Sequence, residues 1–128
     1  MEHRHLGRSG LKVSEIAYGN WITHGSQVAE DAALACVAAA LDEGITTFDT
    51  ADVYGPHTNE ELLGRFLRGR RAAVFIATKF GFVSDPDKPA APNTIDGRPA
   101  RVAQACEDSL RRLNVERKIG RALCRERV

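Results

Sequence analysis

Apolar positions along the chain fall into short strand-like runs that alternate with longer stretches of helical spacing. Arg4-His5-Leu6 and Leu11-Lys12-Val13 flank the turn-forming Gly7-Arg8-Ser9-Gly10, so residues 4–14 are predicted to form a short hairpin. A short apolar strand is expected at Glu15-Ile16-Ala17-Tyr18-Gly19. The Ala-rich stretch from about Val28 to Glu43 reads as a helix, with Leu34, Val37, Ala40 and Leu41 able to share one face. Gly44 stands where a C-terminal cap is expected. Ile45-Thr46-Thr47-Phe48 follows, a β-branched run too short for a helix.

A second helix is predicted from Thr58, where Thr58-Asn59-Glu60-Glu61 matches the capping-box pattern. Leu62, Leu63, Phe66 and Leu67 supply its buried face. Residues 73–78 are apolar nearly throughout, as a strand covered on both faces should be. Residues 80–97 carry Pro86, Pro89 and Pro92 among several Asp and Gly, and read as a long loop. A third helix begins near Pro99, a residue suited to a first helical position, and Val102, Cys106, Leu110 and Leu113 recur at helical spacing.

The order is a hairpin followed by β-α three times, which implies right-handed βαβ units and a parallel sheet. An open doubly wound sheet and the opening third of a (β/α)8 barrel both fit. A dinucleotide-binding open sheet would carry GxGxxG after its first strand. That position reads Gly19-Asn20-Trp21-Ile22-Thr23-His24-Gly25, which favours the barrel. The predicted fold is therefore α/β: the N-terminal part of a (β/α)8 TIM barrel with an N-terminal β-hairpin, truncated after about three β/α units.

Composition narrows the class. With 128 residues, 43% hydrophobic and 27% charged, the chain reads as one ordinary globular domain, neither disordered nor fibrous. A formal net charge of +1 argues for no nucleic-acid partner and no acidic membrane surface. No apolar run is long enough to span a bilayer, and Met1-Glu2-His3-Arg4-His5 has no apolar stretch behind its charges. A cytoplasmic location is expected. Cys36, Cys106 and Cys124 are odd in number and widely spaced, unlike a disulfide framework or a zinc site. Cys36 and Cys106 fall in helical patterns and are expected to be buried as small reduced hydrophobes. His3, His5 and His57 have no ligand spacing, and no metal site is expected.

Three side chains stand out by position. Asp49 follows the strand at residues 45–48, Tyr54 lies five residues on, and Lys79 ends the next strand. All three belong at the C-terminal rim of adjacent parallel strands, where barrels place their catalysis. A free phenol, with a pKa near ~10, is a poor acid at neutral pH. A nearby ammonium stabilises the phenolate, and a carboxylate holds that ammonium charged and in place. A phenol tuned in this way can protonate a developing alkoxide. On spacing alone a plainer reading is equally open: Asp49 caps a loop, Tyr54 packs at its base and Lys79 is solvated.

The wording around these residues carries a resemblance. Phe48-Asp49-Thr50-Ala51-Asp52-Val53-Tyr54-Gly55 resembles the aldo-keto reductase signature around that family's catalytic Asp and Tyr, and Ala77-Thr78-Lys79 its lysine strand. Residues 6–14 resemble the family's opening hairpin, Tyr18-Gly19-Asn20-Trp21 its first barrel loop, and Glu60-Glu61-Leu62-Leu63-Gly64 its second helix. Ser109-Leu110-Arg111-Arg112-Leu113 resembles the end of the third. The match runs over residues 4–116 and is closest to the branch that includes β-subunits of voltage-gated potassium channels. It implies hydride transfer from NADPH to a small aldehyde or ketone, with Asp49, Tyr54 and Lys79 catalytic and Tyr54 as proton donor. It also implies that Asn20, Trp21, Gln27 and Asp49 line the cofactor, while His24 either borders the substrate pocket or is a solvated loop residue. The alternative from another class is a cofactor-binding regulatory subunit like those of the channels.

The resemblance breaks after residue 117. The family's fourth barrel strand, ending in a histidine, is expected there, but residues 118–128 hold four basic residues, no strand pattern and no histidine. Four charges without aromatics or a helical face make a poor nucleic-acid-binding tail. Residues 1–117 are therefore expected to be a partial barrel and 118–128 a non-native or misread tail. A complete barrel needs ~250 residues, so the chain alone is expected to be inactive.

Overall fold

A computed structural model of the chain describes residues 1–21, 28–55, 57–83, 94–116 and, as backbone, 119–122. Strands β1 (His3–His5) and β2 (Lys12–Ser14) form the expected antiparallel hairpin, with His3 opposite Ser14. Gly7 and Gly10 turn the chain with φ of 54° and 78°. The hairpin is anchored by one hydroxyl. Ser14 Oγ donates to the Ile16 carbonyl at 2.7 Å and accepts the backbone N–H groups of Thr46 (3.1 Å) and Thr47 (3.2 Å).

Then come β3 (Ala17–Gly19), α1 (Glu30–Asp42), β4 (Thr47–Asp49), α2 (Thr58–Phe66), a 3-10 turn (Arg71–Ala73), β5 (Phe75–Phe80), β6 (Phe82–Val83), β7 (Thr94–Ile95), α3 (Pro99–Leu113) and β8 (Ile119–Ala122). The main sheet runs β3-β4-β5-β8, all parallel and in chain order. The described residues thus form a short α/β unit built on a parallel sheet, as the opening part of a barrel would be. Val37, Phe48, Leu63, Leu67, Val74, Ile76 and Leu113 form the core where the helices cover the sheet. No helix among the described residues is long and apolar enough to cross a membrane.

Gly44 caps α1 as expected. At φ 82° it lets its own N–H reach Leu41 O (2.9 Å) and the next N–H reach Ala40 O (2.9 Å), a Schellman motif. Pro99 opens α3 at its first turn, also as expected. Gly64 marks a close approach of α2 to the end of α3, because a Cβ built on it would lie 2.6 Å from Leu113 O.

Several expectations are corrected. The capping box does not form: α2 starts after His57, at φ 73°, and no side chain caps it. Thr58 Oγ1 donates instead to the Gly55 carbonyl, and Glu60 turns inward. The loop at 80–97 contains the antiparallel pair β6–β7, while Pro86, Pro89 and Pro92 lie outside the described residues. On α3 the buried row is Ala105, Ser109 and Leu113, whereas Val102, Cys106 and Leu110 are half-buried. The two rows are adjacent on the helix. Cys36 is exposed and Cys106 half-buried, contrary to the expected burial. The stripe Ala33, Val37, Ala40 faces inward, which turns Cys36 out by one position, about 100° around the helix. Finally, Ile119–Ala122 forms a strand where no strand pattern was read, pairing along Ala77–Phe80. Main-chain bonding to an open sheet edge needs no apolar alternation.

Candidate functional site

Parallel pairing sets the C-terminal ends of β4 and β5 side by side, with Asp49 opposite Ala77 and Lys79 one pleat further on. The Lys79 ammonium donates to Asp49 Oδ2 and to the Thr50 carbonyl, both at 2.7 Å. It also lies 5.2 Å from the centroid of the Tyr54 ring, within cation–π range. Lys79 is 8% exposed, while the Asp49 side chain is 48% exposed, so the pair runs from a buried ammonium to a half-exposed carboxylate. The structure thus brings Asp49, Tyr54 and Lys79 together, in place of the solvated lysine of the plainer reading.

The segment carrying Tyr54 continues along β5 beyond the formal strand. Thr50 N–H donates to Ala77 O at 2.8 Å, and Asp52 N–H to Lys79 O at 3.0 Å. The chain then turns, with Tyr54 N–H on Ala51 O at 3.2 Å. Tyr54, Lys79, Trp21, Ala51, Val53, Gly55 and Phe82 line an open cavity of about 500 Å³. A second cavity, about 580 Å³, lies at the opposite end of the strands between Arg71–Ala72 and the end of α3. None of the three singled-out side chains lines it.

The residues singled out for a cofactor are placed as follows. Asn20 is fully buried, and its side-chain amide and backbone N–H both donate to the Asp49 carbonyl, at 2.9 and 3.0 Å. Its Oδ1 is buried with no hydrogen-bond partner among the described residues. Trp21 is 73% exposed at the cavity mouth. Gln27 and His24 lie outside the described residues. No group of three or more His, Cys, Asp or Glu among the described residues is placed to hold a metal ion.

Beneath the rim lies a polar layer that sequence reasoning missed. Thr50 Oγ1 donates to Asn59 Oδ1 at 2.9 Å, and Asn59 Nδ2 donates to the Asn20 carbonyl at 2.9 Å. Glu60, fully buried, accepts from Thr78 Oγ1 at 2.6 Å and from Arg112 Nε at 2.7 Å. One signal was available. Asn59 and Glu60 share the α2 face of Leu63 and Leu67, and polar groups on a buried face need partners. Asp52, next to this layer, has its carboxyl pushed above the usual range by burial and then by the charge of Glu60. Arg112, His57 and the Val53 backbone N–H offset this only in part.

Comparison with known proteins agrees with this arrangement. A family model described as "Aldo/keto reductase family" matches residues 15–119. The "Probable voltage-gated potassium channel subunit beta" of Oryza sativa subsp. japonica is 34% identical over 119 residues, which is 91% of this chain and 35% of that protein. Among solved structures, the aldo-keto reductase AKR11C1 from Bacillus halodurans in its holo form superposes with a TM-score of 0.86 at 33% identity. The match covers 95% of this chain and 40% of that one. The glycerol dehydrogenase AKR11B4 from Gluconobacter oxydans gives 0.74 at 34% identity, over 94% of this chain and 38% of that one. The chain spans about a third of the length of the curated relative it matches.

Proposed function

Because the chain belongs to the aldo/keto reductase family, we propose that it forms the opening part of an oxidoreductase barrel that reduces aldehydes or ketones to alcohols with NADPH. The observation that carries the proposal is the Lys79 ammonium, 2.7 Å from Asp49 Oδ2 and 5.2 Å from the Tyr54 ring centroid. Tyr54 is the proton donor at the cavity. Lys79 stabilises the phenolate left behind, and Asp49 holds Lys79 toward the ring.

The residues present fit a nicotinamide nucleotide. Asn20 Oδ1 is an acceptor left without a partner among the described residues, beside the half-exposed carboxyl of Asp49. Trp21 offers an exposed aromatic face at the cavity. When bound, the cofactor supplies the hydride. The choice of NADPH follows the family resemblance, and a cytoplasmic location belongs to the same proposal. We further propose that residues 118–128 are a non-native or misread sequence, even though Ile119–Ala122 pairs with β5 as a fourth strand, and that the chain alone does not turn over, since last-strand loops hold cofactor phosphates in this fold.

A chimera tests this directly: residues 1–116 replace the matching part of the Bacillus halodurans protein, and NADPH oxidation is followed with simple aldehydes. Steady turnover is expected, and Tyr54→Phe should lower kcat about 100-fold or more, the usual worth of a general acid. Undiminished turnover in Tyr54→Phe removes the proton-donor assignment. Tight nucleotide retention with almost no turnover favours the regulatory-subunit alternative.

A further inference from the structure

Asp52 sits two residues before Tyr54 and is 4% exposed. Its backbone N–H is bonded to the Lys79 carbonyl, so it pins the Tyr54 segment to the strand that bears the lysine. Its Oδ1 is buried and has no hydrogen-bond partner among the described residues. The charged and titratable groups facing it come from three places. Glu60 faces it from α2 with both carboxylate oxygens already bonded, one to Thr78 and one to Arg112. Arg112 faces it from α3, its Nε committed to Glu60. His57 faces it from the start of α2. From β5, the Lys79 carbonyl accepts the Asp52 backbone N–H, and the Lys79 ammonium is turned away to Asp49 and Thr50. Two buried carboxyls thus face one guanidinium that is already bonded to the other of them.

A buried carboxylate with an unbonded oxygen is disfavoured, and the group takes up a proton instead. We propose that Asp52 is a positioning residue for Tyr54: its protonated form packs behind the 51–55 segment, and its ionisation moves the phenol away from Lys79. On ionisation the proton goes to solvent. The new charge can be hydrated when the segment lifts outward, and Tyr54 rides on that segment. The upward displacement of Asp52, by burial and by Glu60, agrees in direction.

The proton-donor role of Tyr54 rests on the reading above, whereas the charge state of Asp52 does not. The test is therefore spectroscopic and uses the 128-residue chain. Carboxyl-¹³C aspartate and ζ-¹³C tyrosine are introduced, Asp52 and Tyr54 are assigned by through-bond correlations, and both are titrated. Asp52 should titrate above about 4, the ordinary aspartate value. The Tyr54 resonance should shift with the same midpoint, and Glu60→Gln should lower that midpoint. In Asp52→Asn the corresponding Tyr54 shift should vanish. Titration of Asp52 at or below the ordinary value overturns the proposal, and so does a Tyr54 resonance that ignores it. The wild-type titrations decide even if neither variant folds. A chimera inactive toward carbonyls would remove the enzymatic reading and leave this result standing.

Discussion

Replacing Gly64 by alanine sets two effects of opposite sign against each other. Gly64 lies inside α2 (Thr58–Phe66), where alanine is better than glycine by about 1 kcal/mol. Against that gain, the added methyl would stand 2.6 Å from Leu113 O, 2.7 Å from Leu113 C and 2.8 Å from Arg112 O. All three are backbone atoms, so no side chain can swing aside. They belong to the last turn of α3, which is fixed by Asn114 at φ 52° and by the Val115 N–H bonded to Leu110 O at 3.1 Å. Moving that turn would also pull Arg112 from Glu60. Overpacking of this kind costs about 1–3 kcal/mol, and three simultaneous backbone clashes place it at the upper end. The expected net effect is a loss of about 1–2 kcal/mol. Urea unfolding followed by far-UV circular dichroism reads it well, because Trp21 is 73% exposed and a weak fluorescence reporter. With a slope of about 1–3 kcal/mol/M, the midpoint should fall by about 0.5–1 M. A midpoint equal to or above that of the parent would refute the close approach of α2 and α3.

Two further perturbations probe charges. Arg112→Met leaves the fully buried Glu60 with one hydroxyl donor, and should cost about 3 kcal/mol in the same unfolding assay, the low end for a buried pair whose arginine is partly exposed. Adding Glu60→Gln should recover part of that loss, and a single variant costing under about 1 kcal/mol would show that the pair is not effectively buried. Asp96 is held down to about 2 by its hydrogen bonds from Arg98, against an ordinary 3.8. Its folded value is lowered, so its stabilisation is present above the ordinary value and disappears as pH falls through about 2. Asp96→Asn should therefore be less stable than the parent at neutral pH and approach it in acid; a gap independent of pH would count against the pairing.

The triad was legible because it depends on topology more than on side-chain detail. Once strands 45–48 and 73–78 are taken as parallel neighbours, a residue at the end of each must reach the same rim. The observed pairing of Asp49 with Ala77 puts Lys79 within 2.7 Å of Asp49. Local signals were also sound where one residue type was needed, as at Gly44 with its positive φ. They failed at the start of α2. Thr58-Asn59-Glu60-Glu61 has the capping-box pattern of Thr58 with Glu61, yet the helix begins one residue earlier, after His57, and the Thr58 hydroxyl goes to the Gly55 carbonyl.

The polar layer beneath the rim was harder to read than the three side chains at the rim. Periodicity sorts residues into apolar and polar, and it assigns polar ones to solvent or to caps. Asn20, Thr50, Asn59, Glu60 and Thr78 all have no exposed surface, so each must be bonded inside the fold. The Asn59–Asn20 bond spans 39 residues, and no short motif encodes it. Seen from α2, however, the pattern is consistent. Asn59 and Glu60 are the polar members of a buried stripe that continues through Leu63 and Leu67. One helix face therefore packs the core at its C-terminal end and secures the rim at its N-terminal end, where Asn59 holds the strand-end residues Asn20 and Thr50, and Glu60 holds the residue before Lys79. A change in the packing of α2 should consequently be felt at Lys79 and Tyr54, although α2 contributes no side chain to the cavity.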